Sequence, residues 1–339
     1  MDNKNIIGID LFKLIAAILV VILHCMGNDL GSIGQMFKYV ICSIAVPFFF
    51  ITSGYFFGRG LNKKNNSKDK KQYFIKYEKN LIKIYIVWSI IGIPFMVNLY
   101  YGLYDGNILY IFLLMIRNVF FTGTFGVYWY LLAMIGASIL IYFFMYKNKL
   151  NLMYLLSFIF FMFGILYSGF QNMLSDNILF SYLFKLTWIL FSCERNFLMV
   201  GWFYMSIGYY FSTHKVNFKM PTLVLLFCIC TILKVGEYYL NSSGILNGNN
   251  LIIVQSLQSV IYFLIGLNLN IGILDKYSKI MRELSSTIYF THFLFIYIID
   301  STQKGNTITT FLVVLSLSTI FYFVIKKLNN ERLKILING

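Results

Sequence analysis

Apolar residues run along this chain in long blocks, with polar and charged residues crowded between them. The blocks fall at roughly 6–26, 36–57, 81–103, 126–146, 150–169, 197–212, 221–240, 250–272, 285–300 and 306–328. Most approach the ~20 residues that carry a helix across ~30 Å of hydrocarbon. No stretch sustains the alternation of period two that a strand or barrel needs. The pattern predicts an all-α, polytopic membrane protein of about ten transmembrane helices, forming a single domain over 1–339. The block at 197–212 is short, and 107–121 and 178–193 are apolar enough to lie on or dip into the membrane, so a range of about nine to twelve fits. The first block is longer than a signal-peptide core and lacks a small-residue cleavage signal, so a retained first helix is expected.

Composition agrees. The 339 residues are 59% hydrophobic and 12% charged, about half the usual charged share, which excludes an ordinary soluble globular protein. The net charge of +15 is read first as topology rather than as nucleic-acid binding. With the N-terminus inside, about twenty Lys and Arg fall on inner segments, from Lys4 through the run between Arg59 and Lys79 to Lys334. The outer segments hold Arg117, Lys185, Arg195 and Lys304, with Lys38 near the outer start of the second helix. Both termini are therefore expected in the cytoplasm, in a multi-pass protein of the cell membrane. The basic loop 62–71, NKKNNSKDKK, is expected to be solvated and able to touch anionic membrane lipid. Five cysteines without CxxC or paired spacing give neither a disulfide framework nor a metal site.

Ionisable residues inside the apolar blocks are costly and mark structural pairs or function. The first helix, GIDLFKLIAAILVVILHC, carries Asp10, Lys13 and His24. Eleven residues at 100° each bring Lys13 and His24 to within roughly 20° on one face, about 16 Å apart along the axis. Asp10, one turn before Lys13, is placed to neutralise it. Pro47 frees a backbone carbonyl in the second helix, and Ser53-Gly54 permits a close contact suited to packing or a cavity wall. Lys76, Lys79 and Lys83 share a basic face at the cytoplasmic entry of the third helix, fit for polyanionic phosphates or for lipid. His292 lies deep in SSTIYFTHFLFIYI and needs a partner. Lys234 and Glu237, at i and i+3, most simply neutralise each other, and Glu194-Arg195 stands where it could orient an outer acceptor.

These residues carry a resemblance. An Asp, a cation and a His eleven residues later in the first helix, then PFFFITSGYFF, KNLIKIY, YWYLLAMI and STIYFTHFLFI in that order, resemble acyltransferase family 3 of integral membrane acyltransferases. The branch that holds the membrane half of the membrane-bound serine racemases is especially similar; no racemase half is read in these residues. The resemblance implies an O-acyltransferase that moves an acyl group, usually acetyl, from acyl-coenzyme A to a hydroxyl of a cell-surface glycan or lipid-linked acceptor. It places the family's first-helix cation and His on Lys13 and His24, its serine-glycine element on Ser53-Gly54, and its third-helix basic pair on Lys79 and Lys83. The family usually has Arg at the first- and third-helix sites; Lys here cannot make the planar two-pronged contact of a guanidinium. The expected machinery is His24 as general base, Asp10 and Lys13 along a polar track, Lys76, Lys79 and Lys83 on donor phosphates, and His292 and Ser53 lining the cavity. A solute transporter, for which Pro47 and Pro94 lack matching breaks in the second half of the chain, and a non-catalytic scaffold are the alternatives.

Overall fold

The structure, a computed structural model, describes residues 6–25, 31–242, 253–302 and 307–337. Lys4, Lys304 and most of the 241–249 loop lie outside the described residues. Within them every regular element is a helix, with no strand. The helices are α1 (Ile7–Cys25), α2 (Gly31–Val40), α3 (Ala45–Asn62), α4 (Ser67–Leu103), α5 (Ile108–Arg117), α6 (Trp129–Tyr146) and α7 (Leu150–Gly169). They continue as α8 (Gln171–Leu174), α9 (Ile178–Phe191), α10 (Trp202–Thr213), α11 (Met220–Ser242), α12 (Ile253–Asn268), α13 (Ser278–Thr302) and α14 (Thr307–Leu328).

Among the described residues each predicted block falls mostly on helix, but length and apolarity divide the blocks differently. Seven described helices are long and apolar enough to cross a membrane: α1, the α2–α3 stretch, α4, α6 with its preceding turn, α7, α11 and α14. An eighth results if α12 and α13, bent by 100° at the intervening break, make one span. The expected ten differs because the 197–212 block is divided between a wide turn at 197–201 and the short α10, and because α13 is polar. Ser285, Thr287, Thr291 and His292 of α13 are all buried. Their polarity faces the protein and not lipid, where it would be costly.

By contacts, the chain forms two compact units. Among the described residues, one comprises 6–25, 31–49, 217–242, 253–302 and 307–337; the other comprises 50–216. In the first, α1 packs along α13. Asp10 meets Ser278 and Arg282, while His24 meets His292, so the two helices run parallel. α14 returns antiparallel to α13, with Glu283 against Tyr322 and Thr291 against Ser318. The start of α1 and the end of α14 therefore lie at the same end of this unit. Gly8 lets α1 approach α12: a Cβ there would stand 2.2 Å from the Gly266 carbonyl oxygen.

In the second unit α3 and α10 meet through small residues. A Cβ at Gly54 would lie 2.1 Å from the Met205 carbonyl oxygen, and one at Gly208 would lie 1.9 Å from that of Ile51. Gly54 and Gly58 are four apart on α3, and Gly208 and Ser212 four apart on α10, so the small residues line facing stripes. Gly54 is thus a packing residue, settling one of the two roles the sequence allowed. α4 is 37 residues long, about 55 Å at 1.5 Å per residue, well beyond a hydrocarbon core. Its Asn66 cap and charged first turns precede the apolar part.

Candidate functional site

Pro47 shows how the first unit builds its polar interior. It sits in the first turn of α3, just after a tight turn at Cys42–Ile44. Lacking an N–H, it cannot bond the carbonyl four residues earlier, that of Ser43. Gln255 Nε2 of α12 donates to that oxygen at 2.9 Å. The next freed carbonyl, that of Tyr39, accepts from Ser43 Oγ at 2.6 Å and from Lys234 Nζ of α11 at 2.9 Å. Lys234 is fully buried, its Nζ also touches Ser43 Oγ, and it lies 5.2 Å from the Tyr39 ring centroid. The expected Lys234–Glu237 ion pair is not formed. The lysine turns to the broken backbone instead, and Glu237 Oε2 is buried without a hydrogen-bond partner among the described residues.

The first-helix track divides between two ends of α1. At its start Asp10 is buried, accepts from Ser278 Oγ at 2.5 Å and faces Arg282 Nη1 at 3.9 Å. Lys13 is in the electrostatic neighbourhood of both Asp10 and Arg282. Asp10 therefore serves α13 as well as Lys13, a partnership that residues 268 to 272 positions away do not announce in the sequence. At the far end the imidazoles of His24 and His292 face each other, 5.3 Å between centroids and tilted by 37°. Phe293 stands edge-on to His24 at 5.5 Å, and Tyr289 lies 5.9 Å from His292.

His292 is wholly buried, and its Nδ1 lies 3.0 Å from the Ile288 carbonyl oxygen. A carbonyl only accepts, so Nδ1 carries the proton, and in a neutral ring Nε2 then holds the lone pair. Nε2 is buried with no hydrogen-bond partner among the described residues. An orphaned basic nitrogen in a low-dielectric interior is costly, and a hydroxyl placed there would satisfy it by donating its proton. The pair can thus do what an acyl transfer to an alcohol needs, accepting the hydroxyl proton as the oxygen attacks.

The other expected residues belong to the second unit. Ser53 shares a hydrogen bond of 3.1 Å with the Tyr130 hydroxyl, so it is engaged within that unit. Lys76 lines a cleft of about 510 Å³ with Lys64, Tyr73, Tyr77, Gln72, Asn80 and Asp69. Lys79 and Lys83 are exposed and not among the residues lining it. The cleft pairs two ammonium groups with two tyrosine rings, 6.3 Å apart and nearly parallel. Behind it Glu78 is buried and accepts from Ser138 Oγ of α6 at 2.5 Å. Lys64 was legible only as one charge of the basic 62–71 loop.

An amino-acid racemase of Enterococcus faecalis is 34% identical over 142 residues, covering 40% of this chain and 18% of that protein. A serine/alanine racemase of Enterococcus gallinarum is 34% identical over 96 residues, covering 28% and 13%. The matched part spans less than a fifth of either relative. No solved structure matches the chain. A family described as an acyltransferase domain matches residues 6–327, nearly the whole chain. That extent, over a helical membrane-type fold bearing the paired histidines, establishes that the protein belongs to acyltransferase family 3.

Proposed function

We propose that this membrane acyltransferase moves an acyl group, acetyl by preference, from acyl-coenzyme A to a hydroxyl of a cell-surface glycan or a lipid-linked sugar. The observation that carries the reading is the imidazole pair of half-buried His24 and fully buried His292, in which His292 Nε2 has a lone pair and no hydrogen-bond partner among the described residues. His292 is the group best placed to take the acceptor proton, with His24 packed against it to position the ring or share the proton. This exchanges the roles first expected for the two histidines. In the cleft at the start of α4, Lys64 and Lys76 would hold donor phosphates, and Tyr73 or Tyr77 would offer the adenine a face. The chemistry requires the thioester carbonyl to be attacked by the acceptor oxygen and coenzyme A to leave as its thiol.

The test is mass analysis of surface polysaccharide from cells lacking the protein, restored with wild type, His24→Ala, His292→Ala or His292→Gln. Wild type should restore an acetyl increment and the variants should lose ~10²–10⁴-fold in rate. Gln keeps a hydrogen bond but cannot take a proton, so full activity in His292→Gln would remove it as the base. A second reading, solute transport, draws on the 100° break between α12 and α13, which supplies the second-half discontinuity that the prolines alone did not. The relatives named as racemases point to an amino acid as the solute. Serine uptake into vesicles, with glycan acetylation unchanged on deletion, would favour it.

A further inference from the structure

Lys234 is more than the broken backbone before α3 requires. The neighbouring freed carbonyl, that of Ser43, is filled by the neutral amide of Gln255. An amine buried to zero exposure is a far costlier way to fill the Tyr39 carbonyl. The amine also touches the Ser43 hydroxyl and lies against the ring of Tyr39; among the described residues it makes no ion pair, and the buried Tyr39 hydroxyl has no hydrogen-bond partner. Ser43 is half-buried and not sealed. The amine donates to Ser43 Oγ while the hydroxyl donates to the Tyr39 carbonyl; turning that hydroxyl proton toward a neutral amine gives the arrangement of a Ser–Lys nucleophile and base.

We propose that Ser43 is an acyl-accepting nucleophile and Lys234 its general base, so that transfer passes through an acyl-Ser43 ester. The inference rests on the acyl-transfer reading above. The free amine of Lys234 takes the Ser43 proton as Oγ bonds to the thioester carbonyl carbon. The C–S bond breaks, the proton returns to the departing sulfur, and coenzyme A leaves as its thiol. The acceptor hydroxyl, its proton taken by the imidazole pair, then attacks the ester. The C–Oγ bond breaks, and the imidazolium returns that proton to Ser43. The Tyr39 hydroxyl, carried by the ring that lies 5.2 Å from the amine and without a hydrogen-bond partner among the described residues, is a further donor of the type that stabilises a tetrahedral oxyanion. The helix α1 joins the parts, packing both on the turn that holds Ser43 and on α13. On the expected orientation Lys234 lies about 21 Å along α11 from its cytoplasmic start. An ester there would keep the acyl group near the acceptor side after the donor has left.

The experiment uses the purified full-length protein in detergent, mixed with radiolabelled acetyl-CoA without acceptor, stopped in acid and mapped by peptide. Label should appear on the Ser43 peptide as an ester stable to neutral hydroxylamine. In Ser43→Cys it should become labile to that reagent, with Cys42→Ala as the control that excludes the adjacent thiol. Lys234→Met, of similar volume, should slow labelling by ~10²–10⁴-fold while the protein remains monodisperse. Wild-type protein that acetylates glycan but never carries label on Ser43 would overturn the proposal and leave Lys234 as a tie between α11 and the break. Full transfer by Ser43→Ala would do the same. A wild type that neither labels nor acetylates would instead defeat the acyl-transfer reading itself.

Discussion

His24 and His292 are 268 positions apart in sequence and 5.3 Å apart as rings. Each was conspicuous alone, because an imidazole in an apolar block has to be explained. Their meeting was not legible, since nothing local in the sequence says which face of one helix meets which face of another. The same limit applies to Lys234, which had an apparent partner one turn away and found a better one 191 residues earlier. The lysines of α4 show the reverse case. Their shared face was legible, and only the cleft distinguishes them. Lys76→Gln should therefore raise the KM for acyl-CoA by about tenfold, the loss of roughly one charge-assisted contact worth ~1.4 kcal/mol. Lys83→Gln should leave it unchanged. Initial-rate kinetics on purified protein decide this, and an equal rise in both variants would show that the whole basic face, and not the cleft, meets the donor.

Helices were the most legible level, because a membrane block must satisfy its own backbone and its apolar length is visible directly. Where they break was less so. Pro47 announced a freed carbonyl, yet nothing local in the sequence marks Gln255 as the residue that fills it. Gln255→Leu should leave the Ser43 carbonyl buried and unpaired and cost ~1–3 kcal/mol, read as a lower thermal midpoint in detergent. The glycine stripes give a second check. Gly208→Ala sets a Cβ 1.9 Å from the Ile51 carbonyl oxygen, whereas Gly236 has open space around it. Overpacking the first should cost ~1–3 kcal/mol. Gly236→Ala should be neutral or slightly stabilising, since alanine is the better helix former. Equal midpoints for the two variants would mean that α3 and α10 separate more readily than their backbone contact implies.

For the molecule as a whole, charge foretold an orientation and packing supplies a condition on it. In the first unit α1 and α13 run parallel and α14 antiparallel, so the beginning of α1 and the end of α14 share one end. An even number of crossings meets this condition, whether eight or ten. Which side that end faces depends on the basic segments, which resist translocation. The long α4 offers a clean assay because exposed positions flank it, Asn65 before and Asp105 after. In a background with the five native cysteines replaced, Asn65→Cys should resist an impermeant maleimide in intact cells and react after lysis. Asp105→Cys should react in both. The reverse pattern would put the α4 cleft outside, where acyl-CoA is not supplied. The donor site would then have to be abandoned, whereas the imidazole pair, which needs only an acceptor hydroxyl, would keep its role.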